Sequence, residues 1–168
     1  MTGHIELVVR AFEDSGVRYL IVGGVAVVLH GHLRTTADVD LWIELERANL
    51  DKAVRCLRGL GYRPRAPVAI EDFADAAKRR DWVETKGLVV FSLWNPENPL
   101  EVDLFVSDPL DFTGAYGRAV SVALETTRAR VIGIADLITM KEAVGRPLDL
   151  EDIRALRALR DAGPGGAS

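Results

Sequence analysis

Apolar residues recur along the chain with two periods, one typical of helices and the other typical of strands. Spacing of i, i+3, i+4 and i+7 indicates a helix with one buried face. It predicts helices around residues 5–12, 50–57, 134–144 and 149–161. Alternating or uninterrupted apolar residues predict strands at 18–22, 38–45, 88–94 and 100–106, with one or two more between 119 and 134. The uninterrupted stretch at 88–94 is expected to be buried on both faces.

Turn-forming residues indicate how these elements connect. Gly23-Gly24 before an apolar stretch and Gly31 after it favour a short buried helix, although its β-branched residues would also suit a strand. The Asn-Pro-Glu-Asn-Pro stretch at 95–99 leaves room only for a turn, so the strands on either side should be antiparallel. Residues 62–70 are interrupted by prolines and should be irregular, and 71–82 should form a helix or a mobile lid.

The order of these elements predicts an α/β fold with a mixed β-sheet and flanking helices. The length of 168 residues suits one domain with a proper core. We expect a core domain at 1–133, a short helical C-terminal segment at 134–162 that packs on it, and a disordered tail at 163–168.

Composition narrows the class of protein. Apolar residues make up 48% of the chain and charged residues 27%, which is ordinary for a globular protein. The net charge of −4 and the pI near 5.4 argue against a protein that coats nucleic acid. The single cysteine, Cys56, excludes an internal disulfide. No apolar stretch is long enough for a membrane span and the N-terminus does not resemble a signal peptide, so we expect a cytoplasmic protein.

Two aspartates lie inside an otherwise apolar strand, in the sequence TADVDLWIE. The alternation of the strand places Asp38 and Asp40 on one face, with Trp42 next along that face. Two carboxylates about 4 Å apart repel by roughly 4 kcal/mol at an effective dielectric near 20. A cation should therefore lie close to them, or the pair should be well solvated.

Two further features accompany the aspartate pair. Gly23 and Gly24 lie between a strand and a helix, where backbone can approach a phosphate closely. Asp103 lies on another predicted strand, with Glu101 on the same face. Carboxylates that converge from neighbouring strands make a hard-oxygen site suited to Mg²⁺, and two such ions can assist displacement at phosphorus. A single strand aspartate is more often merely exposed, but the combination favours a metal site.

The stretch GGVAVVLHGHLRTTADVDLWIE resembles the signature of the polymerase-β-like nucleotidyltransferase superfamily, with Asp103 in EVDLF matching its third carboxylate. More narrowly, HGHLRTTADVD and the C-terminal ADLITMKEAVGRPLDLEDI are similar to AbiEii-like nucleotidyltransferases, many of which occur in toxin–antitoxin or phage-defence loci. The resemblance covers about residues 17–45, 100–106 and 135–153.

The resemblance implies an NTP substrate bound with Mg²⁺, with two ions held by Asp38, Asp40 and Asp103, and Asp103 helping to deprotonate the acceptor hydroxyl. The phosphates would lie near Gly23 and Gly24. Many members of the superfamily have serine where this chain has Gly24, so backbone N–H groups would have to replace the contact of that hydroxyl. The acceptor stays open between an RNA 3′ end, a partner protein and a small molecule, and the acidic pI weighs modestly against RNA. A cognate toxin or antitoxin protein is a further expected partner.

Two basic residues outside the aspartate strands are candidates for binding phosphate. Lys141 continues an apolar helix face, so its ammonium either extends to water or reaches the triphosphate, as the resemblance suggests. Arg34 precedes the aspartate strand and is either a phosphate ligand or an ion-pair partner of Asp38.

Other polar residues leave both structural and functional interpretations open. Asp149 and Asp152 have the spacing of a helix cap, with Arg146 as their expected partner, and Glu101 is undecided. His30 has no acid or cysteine at metal-ligand spacing and is treated as structural, although it could lie along the cleft. Trp42 is expected to pack against other side chains of the protein, although it could stack on a base.

Two functions from different classes fit these residues. The favoured one is a nucleotidyltransferase, because a pure binding module has little need for three converging aspartates. The other is a non-catalytic antitoxin or nucleotide sensor of the same fold. A metal-dependent phosphohydrolase would need a water-activating residue, and the sequence offers none that we can identify.

Overall fold

The computed structural model describes residues 2–163, which form seven strands and seven α-helices. In chain order these are α1 (Thr2–Ser15), β1 (Tyr19–Val22), α2 (Gly23–Leu29), β2 (Asp38–Ile43), α3 (Arg47–Gly59), β3 (Arg63–Pro64), α4 (Ala76–Lys86), β4 (Val90–Asn95), β5 (Asn98–Phe105), α5 (Phe112–Gly117), β6 (Val120–Ala123), β7 (Arg128–Val131), α6 (Ile134–Val144) and α7 (Pro147–Ala162). A 3-10 turn at Ile70–Ala74 precedes α4.

All seven strands belong to one sheet in the order β3-β4-β5-β2-β1-β7-β6. The pairs β2–β5 and β1–β7 are parallel, and the other four pairs are antiparallel. The short turn between β4 and β5 forces that pair to be antiparallel, as the sequence predicts. The predicted mixed sheet is therefore confirmed.

One face of the sheet is covered by helices along its centre. Val39, Leu41 and Ile43 point to this face and are buried, and α1 and α3 pack against each other and against the sheet. The opposite face is covered only in part, because α2 packs on β1 and β2, α6 packs on α2, and α7 packs on α6. On this second face Asp38 and Asp40 of β2, Val90 and Ser92 of β4, and Asp103 and Phe105 of β5 stay half-buried, which leaves a cleft above them.

The stretch at 88–94 differs from the prediction of a strand buried on both faces. The strand is Val90–Asn95, in which Phe91 and Leu93 are buried while Val90 and Ser92 are only half-buried. The reason is that the second face of β4 borders the cleft, so its apolar residues do not meet a covering helix. Val89 lies just before the strand and is 64% exposed.

The remaining elements agree with the sequence-based predictions or differ from them by a few residues. Residues 71–82 are helical except at Asp75, which is extended between the 3-10 turn and α4, and most of 62–70 is irregular apart from the two-residue strand β3. The last helix begins at Pro147 rather than at 149, because proline at the first turn needs no hydrogen-bonded N–H. Within residues 2–163, no helix combines the length and the apolarity that crossing a bilayer requires. The domain boundary at 133/134 stays a prediction, and the predicted tail lies outside the described residues apart from Gly163.

Candidate active site

Three carboxylates meet on the partly covered face of the sheet. The parallel pairing of β2 with β5 sets Asp40 directly beside Asp103, and Asp38 lies two residues before Asp40 on the same face. One oxygen from each side chain lies within 4.8 Å of the others. Strand alternation predicts that Asp38 and Asp40 share a face, and the strand register brings Asp103 to them. Their role as metal ligands stays a prediction.

The electrostatics of the cluster favour the binding of a cation. Burial, followed by the charges of Asp38 and Asp103, raises the pKa of Asp40 to about 7. Burial also raises the pKa of Asp103. The hydroxyl of Ser92 donates a hydrogen bond of 2.6 Å to Asp103 Oδ1, which offsets part of this increase. Three half-buried carboxylates that repel one another present only hard oxygen donors, which are the ligands that Mg²⁺ prefers. The donor set therefore fits the metal that the resemblance implies.

Repulsion within the cluster should make the metal-free protein less stable as pH rises. The folded state keeps the Asp40 proton up to about pH 7, whereas the unfolded chain releases it near its ordinary pKa of 3.8. The free energy of unfolding should therefore fall between about pH 4 and pH 7. Asp40→Asn should remove this loss and raise the melting temperature at pH 7.5 by about 2–4 °C, equivalent to about 1 kcal/mol. Thermal melts in EDTA at pH 5 and pH 7.5 measure the difference, and equal gains at both pH values would contradict the prediction.

The Gly23-Gly24 turn brings the end of β1 against the carboxylates. Gly23 has φ +65°, and a Cβ placed on it would lie 2.1 Å from Oδ2 of Asp40. A Cβ on Gly24 would lie 3.1 Å from the guanidinium carbon of Arg34 and 3.2 Å from the hydroxyl of Thr36. Gly23 is thus required by its backbone conformation and by close packing, whereas a Cβ at Gly24 would need Arg34 and Thr36 to shift by a few tenths of an ångström. Both glycines line the cleft. Their predicted contact with phosphate is compatible with this placement and stays a prediction.

A cleft of about 580 Å³ lies above the carboxylates. The sheet, α6 and the start of α7 form its walls. Its polar lining consists of Gly23, Gly24, Arg34, Thr36, Asp38, Asp40, Asp103, Lys141, Arg146 and Asp149, and its apolar lining of Val89, Val90, Phe105, Leu137, Met140, Val144 and Leu148. All seven residues predicted to bind cofactor or metal therefore line one cavity.

Lys141 is buried within this cleft and is paired with two aspartates. Only 7% of its side chain is exposed, and its ammonium lies 2.9 Å from Asp152 Oδ2 and 3.5 Å from Asp149 Oδ1. The interpretation in which Lys141 merely extends to water is therefore wrong. Arg34 also binds Asp152, with Nη1 2.5 Å from Oδ2, so the alternative in which its partner is Asp38 is wrong too.

Asp149 and Asp152 differ in role although they share one helix. Asp149 is the third residue of α7 and accepts hydrogen bonds from the backbone N–H and from Nε of Arg146, so the predicted cap and partner are present. Asp152 is 1% exposed and caps nothing; its contacts are the two cations of the cleft. The sequence shows only an Asp-x-x-Asp spacing. It gives no sign that Arg34, which is 118 positions away, binds the second aspartate.

Two residues considered for the site are structural. Trp42 is fully buried, its indole N–H donates a hydrogen bond of 2.8 Å to Asp108, and its ring packs edge-on against Phe112. It cannot stack on a base, because α5 covers it. His30 Nε2 lies 2.7 Å from the carbonyl oxygen of Ile132, in agreement with the structural interpretation.

Two further residues belong to the surroundings of the carboxylates. Glu101 forms an ion pair with Arg65 outside the cleft lining and does not join the three aspartates. Ser92 was not singled out by the sequence, yet it hydrogen-bonds to Asp103. Its position opposite Asp103 in the β4–β5 register is the signal that would have identified it.

No protein-family model matches the sequence, and a search of curated proteins finds no match. Among solved structures, the chain is similar to the lincosamide antibiotic adenylyltransferase LnuA in its lincomycin-bound form, with a TM-score of 0.64, 16% identity, and coverage of 95% of this chain and 98% of that chain. It is also similar to ANT(2")-Ia in complex with adenylyl-2"-tobramycin, with a TM-score of 0.59, 16% identity, and coverage of 96% and 95%. A nucleotidyltransferase-like protein from Paracoccidioides brasiliensis gives a TM-score of 0.60 at 16% identity, with coverage of 93% and 75%.

These likenesses establish the fold. The mixed seven-stranded sheet with flanking helices is the nucleotidyltransferase fold, as the sequence predicts. The narrower resemblance to AbiEii-like proteins stays a prediction.

Proposed function

We propose that the protein is an Mg²⁺-dependent nucleotidyltransferase that transfers a nucleoside monophosphate from NTP to a hydroxyl and releases pyrophosphate. The observation that carries this proposal is the meeting of three aspartates within 4.8 Å, beside the Gly23-Gly24 turn, in a cleft of a nucleotidyltransferase fold. Each of the similar structures named above is described as an adenylyltransferase, an adenylylated-antibiotic complex or a nucleotidyltransferase-like protein.

Asp38, Asp40 and Asp103 would hold the metal, for which we propose two ions. When bound, Mg²⁺ neutralises the carboxylates and the charge that develops on the phosphate oxygens. The acceptor oxygen forms a bond to the α-phosphorus while the bond from that phosphorus to the pyrophosphate oxygen breaks. Asp103 takes the proton of the hydroxyl.

The cations of the cleft would bind the triphosphate. Arg34, Lys141 and Arg146 carry three positive charges against the two negative charges of Asp149 and Asp152, which leaves one positive charge in excess. Lys141 has three N–H donors, of which two face the aspartates, so one is left for a phosphate oxygen. Asp152 acts as a positioning residue, since it fixes both Arg34 and Lys141 at the wall of the cleft.

Labelling with radioactive nucleotide tests the proposal. The protein with Mg²⁺ and each α-³²P-labelled NTP is incubated with three separate acceptor fractions: small molecules, RNA and protein from a bacterial lysate. We expect label in one fraction, for one or two of the nucleotides, and none after EDTA is added. Calorimetry should show Mg²⁺-dependent NTP binding in the absence of acceptor. Absence of NTP binding would overturn the proposal.

A nucleotide-binding sensor or antitoxin is the second candidate. The observation in its favour is that Asp149 and Asp152 already neutralise most of the positive charge of the cleft. NTP binding without transfer to any fraction would favour this candidate. A place in a toxin–antitoxin pair, with a cognate protein partner and a cytoplasmic setting, is proposed from the AbiEii-like resemblance alone.

A further inference from the structure

The active-site cleft is polar at one end and apolar at the other. On the sheet, Val90 is paired with Phe105, one step beyond the Ser92–Asp103 pair on the same face. The turn between α6 and α7 faces this apolar pair with Val144 and Leu148. The apolar end therefore begins next to Asp103 and extends away from the other two aspartates.

The mouth of the apolar end exposes large side chains to solvent. Val89 is 64% exposed, Val144 is 61% exposed and Leu148 is 47% exposed. In residues 3–163, eight large apolar residues are exposed, and these three lie together on one cleft while others are scattered. Single exposed apolar residues are normal, but a group that lines a concave site marks a surface for a ligand.

The strand order indicates which ligand occupies this surface. β1, with the Gly23-Gly24 turn at its end, lies on one side of the aspartate strands, and β4 lies on the other. In an in-line displacement the acceptor enters opposite the departing pyrophosphate. If the phosphates lie at the glycine turn, the acceptor comes from the β4 side. Its hydroxyl then meets Asp103, and the adjoining atoms lie on Val90 and Phe105.

The apolar end of the cleft has little to bind a highly charged acceptor. Its lining residues Val89, Val90, Phe105, Val144 and Leu148 carry no charge, and the neighbouring Arg146 is already paired with Asp149. Among these lining residues a polycation would meet no carboxylate, and a nucleic-acid backbone would meet no cation. The volume of about 580 Å³ has room for a nucleotide and a compound of modest size.

We propose that the acceptor is a small, weakly charged hydroxyl compound with an apolar face next to its hydroxyl, held between the Val90–Phe105 pair and the α6–α7 turn. This inference rests on the proposed nucleotidyltransferase function and names the acceptor class for that site. Transfer of label to the RNA fraction of the lysate, or to a polycationic compound of its small-molecule fraction, would contradict this inference.

A series of primary alcohols from methanol to hexanol serves as the probe. Each alcohol reacts with α-³²P-labelled NTP to give an alkyl ester of the nucleoside monophosphate plus pyrophosphate. Because a buried methylene is stabilised by transfer from water, the rate should rise about two- to fourfold for each added carbon. Val90→Ser and Val144→Ser should flatten this dependence. Val120→Ser is the matched control, because Val120 is an exposed valine on β6, outside the cleft lining.

Different failures distinguish the two proposals. Transfer to water or methanol with no dependence on chain length would overturn the apolar acceptor site and leave the nucleotidyltransferase proposal standing. A chain-length dependence that survives both valine variants would overturn the assigned surface. If the protein binds NTP but transfers to nothing, methyl NMR with hexanol decides: shifts at Val89 and Val144 are expected, and their absence overturns the inference. Absence of NTP binding overturns both proposals.

Discussion

Asp103→Asn is expected to lower nucleotidyl transfer by about a thousandfold or more, equivalent to about 4 kcal/mol of transition-state stabilisation. The amide removes a negative ligand and the group that takes the acceptor proton. It has nearly the shape of the carboxylate and can still accept the hydrogen bond of Ser92, so the fold should be retained. Initial rates with saturating Mg²⁺–NTP measure the effect.

Asp51→Asn is the matched control for this variant. Asp51 is a half-exposed aspartate whose partner is Arg47 on the same helix, and it lies outside the cleft. Its substitution should leave the rate within about twofold, because exposed ion pairs contribute little. A thousandfold loss in both variants would indicate general damage. Retention of full activity by Asp103→Asn would remove Asp103 from the reaction.

Period-2 alternation was enough to predict the acidic face of the sheet. Val39 and Leu41 are apolar and must be buried, so Asp38 and Asp40 have to point to the other face. The same alternation in β5 predicts the orientation of Asp103. The meeting of the two strands depends on parallel pairing across about sixty residues of chain, which the resemblance to a known superfamily suggested and periodicity could not.

Long-range contacts set the limit of sequence-based prediction. Trp42 continues the acidic face of β2, but α5 packs over it through Phe112, so it is core rather than site. Nothing local in the sequence indicates which helix covers a strand end. Likewise, helical periodicity places Lys141 on an apolar face, but it cannot show that the ammonium meets Asp152 on the next helix.

The charges of the cleft separate into two groups with different consequences. The three aspartates on the sheet repel one another, and the charges of Lys141 and Arg146 offset the repulsion at Asp40 only in part, so a bound cation should stabilise them. The charged side chains on α6, on α7 and on the chain before β2 form ion pairs with one another and so connect these elements. Metal removal should therefore affect the first group, whereas loss of Asp152 should loosen the helical wall of the cleft.

Asp152→Asn is expected to destabilise the protein by about 3–5 kcal/mol, because it leaves Lys141 and Arg34 without their shared buried counter-charge. Denaturant unfolding measures the loss. Glu142→Gln is the matched control, since Glu142 also links α6 to α7 through Arg157 but is half-exposed. It should cost less than about 1 kcal/mol. An equal loss of unfolding free energy in the two variants would contradict the prediction that the buried ion pairs of Asp152 stabilise the protein more than the exposed pair of Glu142.

Lys141→Met combined with Asp152→Asn separates stability from phosphate binding. Methionine keeps the apolar stem and removes the buried charge, so the double variant should recover part of the stability that Asp152→Asn loses. If Lys141 also binds phosphate, this variant should bind NTP more weakly than the wild-type protein by about 1.5–3 kcal/mol, the usual contribution of a charge-assisted hydrogen bond. Affinity for the nucleoside without phosphates should barely change. Recovery of both stability and NTP affinity would make Lys141 a purely structural residue. Equal losses of affinity for the nucleoside and for NTP would instead indicate a distorted cleft.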